Sequence, residues 1–94
     1  MSVPYRFVHI GFSFEDEPPM EELEKIFSTA RDWVRYDIHC WILYSNTELD
    51  IWRDRIRNSP SIKESDSFFL CEFPKTAYSG YQYDVVWDFL NKDR

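Results

Sequence analysis

Two histidines, two cysteines and a dense run of carboxylates are the side chains of this 94-residue sequence that are suited to chemistry. His9 and His39 fall in the middle of two predicted strands, where a general base or half of a metal site would need to face a cleft. Neither histidine has a cysteine or carboxylate nearby at a spacing that supports such a site. We therefore predict a structural or interfacial role for both, with no catalytic residue, no metal and no cofactor.

The two cysteines, Cys40 and Cys71, lie inside predicted strands and lack the spacing of metal ligands. Buried free thiols in a reducing cytoplasm are the expected state of such residues. No apolar stretch reaches the roughly 18 residues of a membrane span, and the sequence begins without a signal peptide. These features predict a cytoplasmic protein that does not contact a membrane.

Six carboxylates fall within ten residues of the chain: Glu15, Asp16, Glu17, Glu21, Glu22 and Glu24. Such a run is compatible with a divalent cation site, with imitation of phosphate spacing, or with a solvated loop and helix N-terminus. The net charge of −6 makes direct, non-specific binding to nucleic acid unexpected. As a functional site, the run predicts contact with a protein partner that itself binds nucleic acid.

Residues 37–45 form the densest run of strand-favouring residues, and apolar side chains alternate on both of its faces. The strands predicted at residues 5–14 and 66–73 show the same two-sided pattern. Aromatic residues make up 19% of the chain, more than a small core needs. We expect helices to cover one face of the sheet and a second copy of the chain to cover the other. The candidate residues of that dimer interface are His9, His39, Trp41 and Phe69.

The clearest helix is predicted at residues 19–35, where apolar residues recur at spacings of three and four. Further helices are predicted at 48–58 and 83–91, and a short strand near 34–37 would complete a four-stranded sheet. A chain of this length forms one domain, residues 1–94. The helix positions predicted to be buried are Leu23, Phe27, Ala30, Leu49, Trp52 and Ile56.

The order of these elements, with a late glycine and a final helix containing Trp and Leu, resembles the small SinR-type members of the Cas2-like group. The resemblance rests on Cys40-Trp-Ile-Leu-Tyr-Ser, Trp52-Arg-Asp-Arg-Ile, Asp66-Ser-Phe-Phe-Leu, Ser79-Gly80 and Trp87-Asp-Phe-Leu. It implies a ferredoxin-like α+β fold, namely an antiparallel sheet with helices on one face and an extra C-terminal helix. It also implies a homodimer that pairs through the sheet.

Cas2-like proteins act as metal-dependent nucleases or as structural components of DNA integration, and the group's metal-site Asp lies at the end of the first strand. The matching region here reads Gly11-Phe12-Ser13-Phe14, and the first acid is Glu15. We therefore expect a non-catalytic, dimeric interaction protein of bacterial or phage origin. In its sharper form it is an acidic inhibitor or antitoxin, of the anti-CRISPR type, that binds a nucleic-acid-processing partner. The alternatives are a Cas2-like metal-dependent endonuclease acting on RNA or DNA, and an architectural subunit.

Overall fold

A four-stranded antiparallel sheet and three helices make up the α+β fold in a computed structural model that describes residues 4–74, 78–80 and 82–94. The strands lie side by side in the order β2-β3-β1-β4, so β1 and β3 are central. No helix in these ranges is long and apolar enough to cross a membrane. In chain order the elements are β1 (Arg6–Ser13), α1 (Met20–Phe27), β2 (Asp32–Asp37), β3 (Cys40–Ser45), α2 (Leu49–Arg57), β4 (Ser67–Phe73) and α3 (Asp84–Asn91).

The first face of the sheet packs against α1 and α2 and forms the larger core. Because side chains alternate along a strand, the even-numbered residues of β1 and the odd-numbered residues of β3 point into this core. Leu23, Phe27, Trp52 and Ile56 are buried there as predicted, whereas Ala30 and Leu49 are only partly buried. The strand residues that join them are Val8, Ile10, Phe12, Trp41 and Leu43.

The second face of the sheet packs against α3, so the prediction that the three helices lie mainly on one side is wrong. Val86, Phe89 and Leu90 of α3 are buried in a separate core with Phe7, Val34, Ile42 and Tyr44. The apolar stripe of α3 follows helical spacing, and such a stripe fits either face of a sheet with two apolar faces. The chain thus covers with its own helix part of the surface that was expected to bind a second copy.

Arg94 fixes α3 against the edge of the sheet. Its Nη2 atom donates hydrogen bonds to Asp32 Oδ2 at 3.1 Å and to the backbone oxygen of Phe89 at 3.0 Å. The guanidinium group also lies 4.4 Å from the centroid of the Tyr44 ring. Only 8% of this side chain is exposed. The contact therefore joins α3 to both β2 and β3.

Helix α1 ends at Phe27, eight residues before the predicted end at residue 35. The hydroxyl groups of Ser28 and Thr29 donate to the backbone oxygens of Glu24 and Ile26, each at 2.6 Å, and the chain then turns. The Arg31 N–H donates to Tyr44 O at 3.0 Å and begins the pairing of this segment with β3. The apolar spacing that predicted helix through Trp33 and Val34 is therefore overridden by strand pairing.

The remaining strand predictions agree closely with the structure. β1 and β4 match the predicted segments to within one residue at each end, and the short strand expected at 34–37 is present as the longer β2. The central strand is shorter than predicted, because Ile38 and His39 form the turn between β2 and β3. Asp37 Oδ1 accepts a hydrogen bond from the His39 N–H at 3.1 Å, which stabilises this turn.

The Asp66 carboxylate joins two loops at the end of the sheet where β1 finishes and β4 begins. It is buried, and its two oxygens accept hydrogen bonds from the backbone N–H groups of Glu15 and Lys63, both at 2.9 Å. The Arg57 guanidinium donates to three backbone oxygens of the same turn, those of Lys63, Glu64 and Asp66. The hydrogen bond from Glu15 and that from Lys63 hold the pKa of Asp66 below its ordinary value.

Replacement of Trp52 by alanine is expected to lower the free energy of unfolding by about 3–5 kcal/mol. The indole is fully buried and its Nε1–H donates to Ser45 Oγ at 3.1 Å, so the variant leaves both a cavity and a lost hydrogen bond. Urea denaturation measures the effect. Ile51→Ala, an exposed neighbour on the same helix, is the control and should change stability by no more than about 0.5 kcal/mol. Equal effects of the two substitutions would contradict the assignment of Trp52 to the core.

Replacement of Asp66 by asparagine is expected to reduce the melting temperature at pH 7 and to reduce it much less near pH 3. The folded-state pKa of Asp66 is depressed, so its stabilising contribution is present above the unfolded-state pKa and is lost as the pH falls through the folded value. Melting curves of both proteins across this pH range measure the difference. Asp88→Asn, an exposed carboxylate on α3, is the control. A destabilisation by Asp66→Asn that is the same at both pH values would contradict this explanation.

Candidate interaction site at the open end of the sheet

Side chains on the second face of the sheet form three rows that run across the four strands. The pairing register defines the first row as Asp32, Tyr44, Phe7 and Phe73, and the second as Val34, Ile42, His9 and Cys71. The third row is Cys40, Gly11 and Phe69, and Tyr36 lies beside it at the irregularity in the β2–β3 pairing. Helix α3 packs on the first row and on the β2–β3 side of the second. We call the third row, together with the loops that adjoin it, the open end.

The centre of the open end is apolar and accessible. Phe69 is 71% exposed, although it lies on a strand, and its cross-strand neighbour Gly11 has no side chain to cover it. A methyl group built on Gly11 would meet only His9 Cε1, at 3.6 Å, so the glycine leaves free space above the sheet. An exposed aromatic ring beside such a space is the kind of feature that a partner side chain fills at an interface.

His9 and Tyr36 share a hydrogen bond between His9 Nε2 and the Tyr36 hydroxyl, across the face of β3. Tyr36 lies at the irregularity in the β2–β3 pairing, and bulges of this kind re-aim side chains. Burial lowers the pKa of His9. Burial, followed by the hydrogen bond with Cys40, raises the pKa of Tyr36 to about 12. Both side chains are therefore neutral at pH 7, and the pair offers hydrogen-bonding groups without charge.

Carboxylates surround the open end because three connections meet there: residues 14–19, 38–39 and 58–66. The first connection carries Glu15, Asp16 and Glu17, all exposed, and Asp37 is exposed at the β2–β3 turn. Asp16 forms an ion pair with Lys63, and the Ser65 hydroxyl donates to Glu15 Oε2. The acidic loop is thus fixed to the turn that Asp66 anchors, and the net charge of this rim is negative.

The other three predicted carboxylates lie on α1. Glu22 pairs with Lys25 at 3.5 Å, one turn further along the helix. No described residue forms an ion pair with Glu17, Glu21 or Glu24. The six residues therefore do not form one cluster, and three of them are available to interact with a positively charged surface.

The four residues predicted for a dimer interface do not form one surface. Trp41 is fully buried on the first face, in contact distance of Phe12 and Phe27, so its assignment to an interface is wrong. The alternation of apolar residues on both faces of β3 left the direction of this side chain undetermined. His39 lies in the β2–β3 turn with its ring 5.8 Å from that of Phe14. His9 is half-buried on the second row, and Phe69 is exposed on the third.

The described side chains at the open end do not form a metal-binding site. No group of three or more His, Cys, Asp and Glu side chains is placed to hold a metal ion among these residues. Cys40 and Cys71 are free thiols, both half-buried, on strands separated by β1. Tyr36 is the residue that sequence reasoning missed. It fell at the boundary between a predicted helix and a predicted short strand, where no pattern indicated its partner.

Comparisons with known proteins do not assign this chain to a family. No family model matches the sequence, no curated protein matches it, and no solved structure matches the fold. What the open end binds is therefore inferred from its own geometry and charge.

Proposed function

We propose that this protein is a non-catalytic interaction protein with a ferredoxin-like, Cas2-like fold, which uses its open end to bind a basic partner that itself binds nucleic acid. The fold assignment is supported by the β-α-β-β-α-β order of the first six elements combined with the strand order β2-β3-β1-β4. Helix α3 is an addition to that arrangement and covers part of the second face.

The observation that carries the proposal is the exposed Phe69 ring in a row that α3 does not reach. An aromatic side chain beside an uncovered glycine provides an anchor and a recess in the same place. Interfaces concentrate their binding energy in a few such aromatic residues, surrounded by a polar rim. At the open end the rim is formed by Glu15, Asp16, Glu17 and Asp37.

The sign of this rim favours a basic partner over a second copy of the chain. A two-fold pair through the open end would bring two acidic loops towards each other, and like charges across an interface cost free energy. A surface of lysines and arginines that normally binds phosphate would instead be complementary to it. The sheet-face homodimer stays a prediction, with a smaller surface than expected because α3 covers the first row.

Substitutions at the open end are expected to weaken capture of a basic protein from an extract of the native host. Phe69→Ala should lower the affinity about 30-fold, the effect of losing an interface hot spot of about 2 kcal/mol. Glu17→Lys should also weaken binding, and the loss should shrink as salt is added because exposed charges are screened. Immobilised wild-type protein, its variants and quantitative mass spectrometry measure the differences, and double-stranded DNA should compete for the captured protein.

Asp88→Lys is the matched control, because it makes the same charge change on the exposed side of α3 and should leave capture unchanged. Capture that survives both open-end substitutions, or a captured protein that is acidic and insensitive to DNA, would contradict the proposal. Light scattering of the free protein distinguishes a homodimer from a monomer by its mass. A mass near twice 11.5 kDa that Phe69→Glu returns to 11.5 kDa would assign the open end to a second copy.

The purified protein is expected to cleave neither single- nor double-stranded DNA or RNA, with or without Mg²⁺. At the end of β1 the first carboxylate is Glu15, and it is engaged with Ser65 rather than with a second acid. Gel assays with both nucleic acids measure this. Mg²⁺-dependent cleavage by the wild-type protein that Glu15→Gln or Asp16→Asn abolishes would favour the Cas2-like endonuclease instead.

A further inference from the structure

A cleft of about 490 Å³ lies between α3 and the second face of the sheet, where the coverage by α3 ends. His9, Tyr36 and Cys71 form its floor, and the aromatic side chains of Phe73, Tyr78 and Trp87 form its walls. Its size falls within the range of roughly 300–1,000 Å³ that is typical of sites for small molecules. The cleft adjoins the open end but does not include Phe69 or the acidic loop.

We propose that this cleft binds a small, neutral, planar aromatic molecule that carries one N–H or O–H group. The charge of the ligand follows from the lining. Charged residues make up 30% of the chain, yet none of the described residues that line the cleft is Asp, Glu, Lys or Arg. A charged ligand would lose its hydration in the cleft without gaining an ionic partner, whereas a neutral ligand has no charge to desolvate.

The aromatic character of the ligand follows from the walls. The rings of Tyr78 and Trp87 lie 6.2 Å apart at an interplanar angle of 29°, and Phe73 meets Tyr78 edge to face at 6.1 Å. The three rings contact one another in these orientations, and all three line the cleft. A planar ring is able to stack on one wall and to meet another edge-on, which are the two favourable arrangements of aromatic pairs.

The polar group of the ligand follows from the floor. His9 uses Nε2 in its hydrogen bond with Tyr36, and His9 Nδ1 bonds no described residue. If Tyr36 donates to Nε2, the Tyr36 oxygen keeps a lone pair. If Nε2 donates to Tyr36, Nδ1 is the free acceptor. Either arrangement leaves an acceptor, on His9 or on Tyr36, for a donor on the ligand, and both residues line the cleft.

Nuclear magnetic resonance titration of the isotope-labelled full chain tests this proposal with two probes, indole and 1-methylindole. Both are neutral and bicyclic, but only indole has an N–H donor. We expect saturable shifts at His9, Cys71 and Trp87, and about a tenfold tighter binding of indole, the effect of one hydrogen bond. An absence of saturable shifts with indole, or equal affinities of the wild-type protein for the two probes, would overturn the proposal.

Two variants assign the effect to the cleft. The double substitution His9→Phe/Tyr36→Phe keeps both planar rings but removes both candidate acceptors, and it should abolish the preference for indole over 1-methylindole. Trp87→Ala should lower the affinity for both probes, because it removes one of the aromatic rings that line the cleft. Tyr83→Ala, an exposed residue just before α3, is the control and should leave both affinities unchanged. If Trp87→Ala does not fold, the ratio of the two affinities in His9→Phe/Tyr36→Phe still decides. A ratio unchanged from the wild type would show that neither His9 nor Tyr36 accepts the hydrogen bond of indole, and would overturn the proposal.

The proposed ligand site and the proposed partner site are distinguishable in the same experiment. Phe69→Glu should abolish partner capture but should leave indole binding unchanged, since Phe69 does not line the cleft. Loss of indole binding in a folded Phe69→Glu protein would place the probe outside the cleft and overturn its assignment. Failure of partner capture with wild-type protein has no bearing on the titration.

Discussion

The two central strands, β1 and β3, carry apolar side chains on both faces, and this constraint determines the rest of the molecule. One face is covered by α1 and α2, and the other has to be covered by α3. An eight-residue helix is about 12 Å long, whereas the eight residues of β1 extend over about 26 Å. Helix α3 therefore leaves part of the second face uncovered, and both proposed sites lie where its coverage ends.

The local patterns in the sequence were sufficient to locate most elements, because amphipathic helices and two-sided strands leave clear periodicities. Leu23, Phe27, Trp52 and Ile56 are buried as predicted. The failure at residues 28–35 has a different cause. The spacing of Trp33 and Val34 continues the stripe of α1, but the two side chains point to opposite faces of β2 and enter different cores. The pairing with β3, across the turn formed by Ile38 and His39, decides between the two structures.

The candidate site was less accessible to sequence reasoning than the core, for the same physical reason. A strand with two apolar faces does not indicate which face meets the helices. The sequence therefore does not show that Trp41 is buried and Phe69 is exposed. Tyr36 reaches His9 because β2 has an irregularity there, and no short-range pattern encodes that contact. The acidic run was evident from composition alone. The sequence did not indicate that half of its carboxylates have partners within the chain.

The contacts that anchor the acidic loop have two opposite effects on the affinity for a partner. They reduce the conformational entropy that is lost on binding, and they reduce the charge that the loop presents. On balance they favour binding through a fixed surface. Asp66, Lys63 and Ser65 hold the loop in place, so little conformational entropy remains to be lost when a partner binds. The same contacts engage Asp16 and Glu15 and reduce the charge that these residues present. Glu17, which forms no ion pair with a described residue, then provides the long-range attraction, which acts mainly on the rate of association and is screened by salt. Phe69 provides the short-range contact, which salt does not screen, so variants of the two kinds should differ in their salt dependence.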